Sequence, residues 1–365
     1  MGVVYVLENE AYLSKEGGTL KVSRRAGREV LLQKPLIAVE EIVILGNAVV
    51  TPALLKHCAQ EGVGIHYLSP TGTYYAGLTR TPSKNAPARV AQFKAYLEPT
   101  WKLALAQRFV LGKIRNGLVF LRRNGAEGWE RLKEALLEAE RAQDEEALRG
   151  AEGRAADLYF RAFAELLPEE FAFGERSRRP PRDPANSLLS LAYTLLAKEC
   201  ESALLVAGLD PYVGYLHEVR YGRPSLALDL MEEFRSVLAD SVVLSLLNNR
   251  RVTLEDFDDS EGFPRLRKEA WPKFLRAWEE RLNERVQHPL LRKRLAYREI
   301  LLAQARILVK HLLGELPRYE PCAVRGGNCT WSSPTIPPMT VAGHGLPSCS
   351  RALAKGGSTP CLKPG

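Results

Sequence analysis

Near residue 88 the chain changes its hydrophobic period, and this change divides what it can fold into. Before it, short β-branched runs alternate with turn signals: "VVYVL", "AYLSK", Gly17-Gly18, "TLKVS", "EVLLQK" and, after Pro35, "LIAVEEIVILG". Further along, "TPALLKHCAQEG" has helical spacing and stops at Gly62, and "VGIHYLS" and "TYYAGL" return to strand character. From about Ala88 the apolar positions recur at helical spacing instead, in "ARVAQFKAYL" and, after Pro99, in "WKLALAQRFVLGKIRNGLVFLRR". The pattern predicts an α+β multidomain chain. A small N-terminal β-rich domain spans residues 1–80, a linker 81–87, and a larger all-α domain 88–325.

Within the helical part, "EGWERLKEALLEAERAQDEEALRG" is polar with a thin apolar stripe and reads as a helix with a solvated face. "GAEGRAADLYFRAFAELL" follows as a more apolar helix. The loop "FAFGERSRRPPRD" then leads to Asp183 as N-cap and Pro184 at the first helical position, opening a helix toward Gly208. Further helices are expected from 225 to about 248, over 264–285 and over 289–316. Residues 326–365 are rich in Gly, Pro and Ser without sustained period, and are expected to be disordered.

No run approaches the ~18 apolar residues of a membrane span, and the start "MGVVYVLENEAYL" has neither a basic n-region nor an apolar h-region. A cytoplasmic protein without a membrane partner is expected. Fifty-one Lys and Arg against 43 Asp and Glu give a net charge of +8, which favours polyanionic partners. Cys58 and Cys200 sit in apolar helical contexts and read as small buried hydrophobes, so they do not call for an oxidising compartment. Cys322, Cys329, Cys349 and Cys361 crowd toward the C-terminus with no paired C-x-x-C zinc spacing. No glycine-rich phosphate loop follows any strand.

The residues that could carry chemistry concentrate in 214–235, "GYLHEVRYGRPSLALDLMEEFR". Ser225 can cap the helix it opens, and Leu226, Leu230 and Phe234 recur every fourth residue as its buried stripe. Asp229, Glu232 and Glu233 lie beside that stripe, where like charges on adjacent turns repel unless a cation lies among them. A solvated acidic face partnered by Arg235 is the plain alternative. His217 stands in a polar turn; a lone histidine is either a satisfied structural residue or a ligand. Glu152 falls on the helical face of Ala156, Tyr159 and Phe163, so it needs a partner if buried, or else it ends the charged run before it. One imidazole with two or three carboxylates suits Mg²⁺ or Mn²⁺, and such sites serve hydrolysis or transesterification at phosphate. Arg176, Arg178, Arg179, Arg182, Arg220, Arg223, Arg250 and Arg251 could contact a phosphate backbone, or merely solubilise the surface.

"GKIRN", "EGRAADLYF", "NSLLSLAYTLLAKE" and "GLDPYVGYLHEVRYGRPSLALDLMEEFR" together resemble the CRISPR-associated integrase family, the endonuclease of spacer acquisition, in order from the first strands to about Arg325. The resemblance implies a helical catalytic domain, an asymmetric homodimer, and a small ferredoxin-fold CRISPR-associated partner in a heterohexameric integration complex on double-stranded DNA. It implies metal-dependent insertion of short DNA fragments into the CRISPR array by 3′-hydroxyl attack. Glu152, His217 and Glu232 match the family's metal ligands, Asp229 an additional acid beside them, and Asn186 a position near the active centre; Glu233 then drops out as surface. The chain departs from the family in reading Arg235-Ser236 where Arg-Pro is common, and in the tail beyond Arg325, which has no counterpart. A non-catalytic DNA-binding scaffold and a general nuclease of branched or single-stranded DNA are the alternatives.

Overall fold

The β-branched runs pair into two four-stranded sheets. A computed structural model describes residues 2–24, 29–69, 74–78, 84–177 and 180–323. The expected disordered tail, Arg178, Arg179, Cys329, Cys349 and Cys361 lie outside them. Strands β1 (Gly2–Val6), β2 (Ala11–Glu16), β3 (Thr19–Arg24), β4 (Glu29–Pro35), β5 (Val39–Leu45) and β6 (Ala48–Val50) precede helix α1 (Pro52–Glu61) and strands β7 (Gly64–Leu68) and β8 (Tyr74–Leu78). One sheet has the order β1-β5-β7-β8 and the other β4-β3-β2-β6. Helix α1 ends as expected at Gly62, whose φ of 72° is left-handed and whose N–H reaches the Cys58 carbonyl.

Alternation explains the first core: Ala11 and Leu13 of β2 meet Leu20 and Val22 of β3, Ile42 and Ile44 of β5, and Leu54 and Cys58 of α1. The other face of β5 is covered as well. Val43 and Leu45, with Leu68, join a second core built by the helices. Burial on both faces is why "VEEIVIL" has so little polar alternation, as in parallel sheets: β5 pairs in parallel with both β1 and β7.

The helical part begins with α2 (Ala86–Leu97), whose N-cap Asn85 accepts from the Ala88 N–H at 3.3 Å, and α3 (Pro99–Arg123). The expected polar helix divides. Helix α4 (Leu132–Arg141) stops, Asp144 caps anew by accepting from the Ala147 N–H at 2.8 Å, and α5 (Glu145–Ala164) runs through the whole "GAEGRAAD" stretch. Helix α6 (Pro184–Ala207) has the expected boundaries, Asp183 accepting from Asn186 N–H at 2.8 Å and Gly208 closing it at φ 95°.

The expected helix over 225–248 is interrupted. It comprises α7 (Ser225–Glu232), a π-helical turn over Arg235–Asp240 and α8 (Ser241–Asn248). Ser225 does not cap α7; its hydroxyl donates to the Glu218 carbonyl at 2.9 Å. The part expected to be all-α also holds two ribbons, β9 (Phe257–Asp258) with β10 (Arg265–Leu266), and, after α9 (Trp271–Asn283), β11 (Arg285–Gln287) with β12 (Arg294–Ala296). The second ribbon displaces the start expected near residue 289, so α10 runs Tyr297–Leu312. Its turn is set by His288, whose Nδ1 accepts from the Leu290 and Leu291 N–H groups at 3.2 and 3.1 Å. Among the described residues no helix is long and apolar enough to cross a membrane.

The two cores are joined by a part-buried polar link. Tyr5 of β1 donates to Glu279 of α9 at 2.8 Å, and Arg298 of α10 reaches both Glu279 and Glu199 of α6.

Candidate active site

Helices α3, α5 and α7 and the loop before α7 bring their polar side chains to one place. Leu226, Leu230 and Phe234 anchor α7 with no exposed surface, as their spacing requires, and this turns Asp229 and Glu232 toward the loop that carries His217. Asp229 is wholly buried and spends both oxygens locally. Its Oδ2 accepts from the Tyr215 and Leu216 N–H groups at 2.5 and 3.0 Å, and its Oδ1 from the His217 N–H at 2.9 Å. The same Oδ1 lies 2.7 Å from His217 Nδ1. That carboxylate selects the Nδ1–H tautomer and leaves Nε2 with a free lone pair, facing Glu232 Oε1 at 3.9 Å. Gly214 permits this packing, because a Cβ there would come within 2.7 Å of Asp229 Oδ2 and 2.6 Å of the Ser225 carbonyl carbon.

Glu232, 4% exposed, is charged and compensated. Arg235 Nη1 lies 3.1 Å from each of its oxygens, and Lys113 Nζ lies 2.9 Å from Oε2. Burial opposes ionisation here, yet Arg235 and Lys113 outweigh it and hold the carboxyl well below the usual carboxylate range. The Lys113 ammonium is also bonded to Glu152 Oε1 on α5, so one cation bridges two carboxylates. The π-helical turn brings Arg235 back onto Glu232 and stacks its guanidinium 4.4 Å from the Tyr193 ring centroid. At the far end of that turn, Asp240 accepts from Tyr159 and Tyr193 at 2.6 and 2.5 Å.

Among the described residues no three His, Cys, Asp or Glu side chains stand close enough to hold a metal ion as they are. The residue types nonetheless fit one: the Glu152 and Glu232 carboxylates share the Lys113 ammonium, and the oriented His217 imidazole faces Glu232. Glu152 and Glu232 thus meet at Lys113, and His217 adjoins Glu232. Asp229 lies behind His217 as its orienting partner, with no oxygen left over.

Asn186 is linked to this cluster through Arg176, which shares the Tyr193 ring with Arg235. Fully buried, it pins the loop before α6, accepting from Arg176 Nη1 at 2.7 Å and donating to Asp183 Oδ2 at 2.6 Å and to the Glu175 carbonyl at 3.0 Å. Arg176 is turned inward, bonded also to Ser190 Oγ at 3.1 Å and lying over the Tyr193 ring. Arg182 and Arg220 are exposed and paired with Glu175 and Glu218, Arg223 is partly buried, Arg250 is exposed, and Arg251 pairs with Glu280.

Glu233 corrects the sequence reading. It is wholly buried rather than on the surface: its Oε2 accepts from the Cys322 N–H at 2.8 Å and Gln304 Nε2 at 3.0 Å, and its Oε1 from the Tyr319 hydroxyl. The solvated acidic face is likewise absent, since Asp229, Glu232 and Glu233 are all buried. Burial pushes the Glu233 carboxyl up to about 7 against those three donors. A carboxyl raised above its unfolded value contributes stability at acid pH that is lost as pH rises through its folded value. Between about pH 4.5 and 7 the wild type is therefore expected to lose about 2–3 kcal/mol relative to Glu233→Gln. Urea unfolding at pH 5 and pH 8 measures this, and equal pH slopes in the two proteins would exclude Glu233 as the source.

Sequence reasoning missed Lys113, Arg235 as a buried partner, and Glu233. A signal existed for the first, since Lys113 interrupts a buried face with Val110 and Gly117 at helical spacing from it.

With this geometry established, similarity to known proteins is specific. A profile of the family described as "CRISPR associated protein Cas1" matches residues 4–280. The chain is 98% identical over 325 residues to CRISPR-associated endonuclease Cas1 3 of Thermus thermophilus, covering 89% of this chain and 98% of that protein. A CAS1 protein from Thermotoga maritima superposes with a TM-score of 0.76 at 26% identity, over 86% of this chain and 97% of that one. A casposase bound to integration product shares the fold, with a TM-score of 0.78 at 23% identity over 88% and 93% of the two chains. On the strength of the profile match and of this near-identity along its length, the chain belongs to the CRISPR-associated Cas1 family.

Proposed function

We propose that this chain is a metal-dependent DNA endonuclease and integrase of CRISPR-based antiviral defence, inserting short foreign DNA fragments into the CRISPR array by 3′-hydroxyl attack on a phosphodiester. The observation that carries the reading is the charge-compensated cluster of Glu152, Glu232 and Lys113 with His217 oriented by Asp229. Glu152, His217 and Glu232 would hold Mg²⁺ or Mn²⁺, which supplies Lewis-acid polarisation of a phosphoryl oxygen and stabilises the charge that develops on it. The chain's own residues prepare that site. Asp229 orients the imidazole, Arg235 keeps Glu232 ionised, and the buried α7 stripe holds both acids on a rigid element.

Arg182, Arg220 and Arg223, with Arg178 and Arg179, are the residues proposed to grip the backbone of double-stranded DNA; the carboxylates paired with Arg182 and Arg220 are exposed and readily exchanged for phosphate. A homodimer joined to a small ferredoxin-fold CRISPR-associated partner, in a heterohexamer, would place two such sites on one DNA fragment. The relative from Thermus thermophilus is named an endonuclease, and the casposase was captured with an integration product, which supports strand transfer as the reaction class.

The test is an integration assay with a short DNA fragment, a repeat-bearing plasmid, the partner protein and Mn²⁺ or Mg²⁺. Joined fragment–plasmid product is expected with metal and none after chelation. Cleavage of branched or single-stranded DNA without joining identifies a general nuclease. DNA binding with no product under any condition identifies a scaffold.

A further inference from the structure

We propose that Lys113 is the resident cation of the Glu152–Glu232 pair, holding the two carboxylates together before metal arrives and competing with the metal for them. The inference rests on the metal reading above. Lys113 lies on α3 among buried neighbours, Gly112, Ile114, Asn116 and Gly117, and its own side chain is only 15% exposed. Its flexible stem crosses this apolar surface and delivers the ammonium to Glu152 Oε1 and to Glu232 Oε2 at 2.9 Å. Without it, two carboxylates of like charge would face each other in a poorly solvated site.

Two cations thus serve Glu232, and only one of them can leave. Arg235 is 8% exposed at its side chain, sits 3.1 Å from both Glu232 oxygens and is stacked on Tyr193. A divalent ion added beside both Arg235 and Lys113 would overcharge two carboxylates, so the site must expel its movable cation. The structure contains a place for it. A cavity of about 30 Å³, enough for one water, adjoins the pair, and its polar lining includes Lys113, Glu232, Arg235, Ser236 and Asp240, so the carboxylate of Asp240 offsets the guanidinium there. The Ser236 hydroxyl is buried with no hydrogen-bond partner among the described residues, so it can accept a withdrawn ammonium. Exchange between the two positions reduces the metal-competent fraction of the protein, and apparent affinity falls by that fraction.

Mn²⁺ binding to the full chain, followed by electron paramagnetic resonance of the free ion, tests this in wild type, Lys113→Met, Lys113→Arg, Ser236→Ala and Glu152→Gln. Lys113→Met is expected to bind Mn²⁺ about tenfold tighter, the change for a site occupied by its own cation about nine-tenths of the time. Lys113→Arg keeps the charge and is expected to bind no tighter than wild type. Ser236→Ala is expected to weaken binding about threefold, as loss of one modest hydrogen bond would. A thermal scan without metal is expected to show Lys113→Met melting below wild type and gaining more from added Mn²⁺. Glu152→Gln separates the two readings. If it abolishes Mn²⁺ binding while Lys113→Met binds no tighter than wild type, the competitor role is wrong and the metal site stands. If Glu152→Gln binds Mn²⁺ like wild type, the metal site itself is wrong and the competitor role fails with it.

Discussion

His217→Ala is expected to reduce strand transfer by about a thousandfold or more while leaving DNA affinity and its salt dependence nearly unchanged. The imidazole contributes nothing to the charged surface: its Nδ1 is committed to Asp229, and its Nε2 points at Glu232. Its removal leaves the two carboxylates with one fewer neutral ligand for a cation, whereas the exposed arginines proposed to hold the backbone keep their positions. Initial rates of joined product, set beside binding isotherms at several salt concentrations, separate the two quantities. A parallel loss of affinity, with chemistry per bound complex preserved, would favour the DNA-binding scaffold.

Asp229→Ala is expected to cost about 4 kcal/mol or more of stability, the largest effect on folding among the site residues. The carboxylate is fully buried and accepts from three consecutive backbone N–H groups and from the His217 ring, so alanine leaves several donors unsatisfied in a dry site. Asp229→Asn keeps one acceptor but presents an NH₂ group to N–H donors, so about half that cost is expected. Strand transfer should nevertheless be lost in both variants. An amide facing Nδ1 no longer enforces the tautomer that leaves Nε2 free, and this is a chemical lesion separable from folding. Urea unfolding and a single-turnover assay on the folded fraction distinguish the two. A stability loss below about 1 kcal/mol for Asp229→Ala would mean that the 214–217 loop is held by other contacts.

Much of the fold was legible because its signals are local. The β-branched runs became strands at nearly the expected residues, and Gly62, Asp183, Pro184 and Gly208 bound α1 and α6 as their backbone chemistry requires. What was not legible depended on neighbours distant in sequence. The parallel partners of β5 are brought in by crossovers, which leave no short-range mark. The ribbon before α10 overrode a sequence that reads as helix, and the charged run after Gly128 hid a second N-cap at Asp144.

The site divides along the same line. The residues alone determined that acids, an imidazole and arginines cluster in 214–235 and raised Glu152 as a further candidate, which the family resemblance matched to a metal ligand. Only the tertiary structure decided what each acid does. Successive residues on a helix point about 100° apart, so Glu232 faces α5 and Lys113 whereas Glu233 faces Tyr319 and Cys322, although the two are chemically identical. The same holds for Lys113 and Arg235, whose sharing of Glu232 no spacing in the sequence marks. Their charge matters because packing removes water around Glu232, and the strength of a charge pair is set by the medium that three-dimensional packing creates.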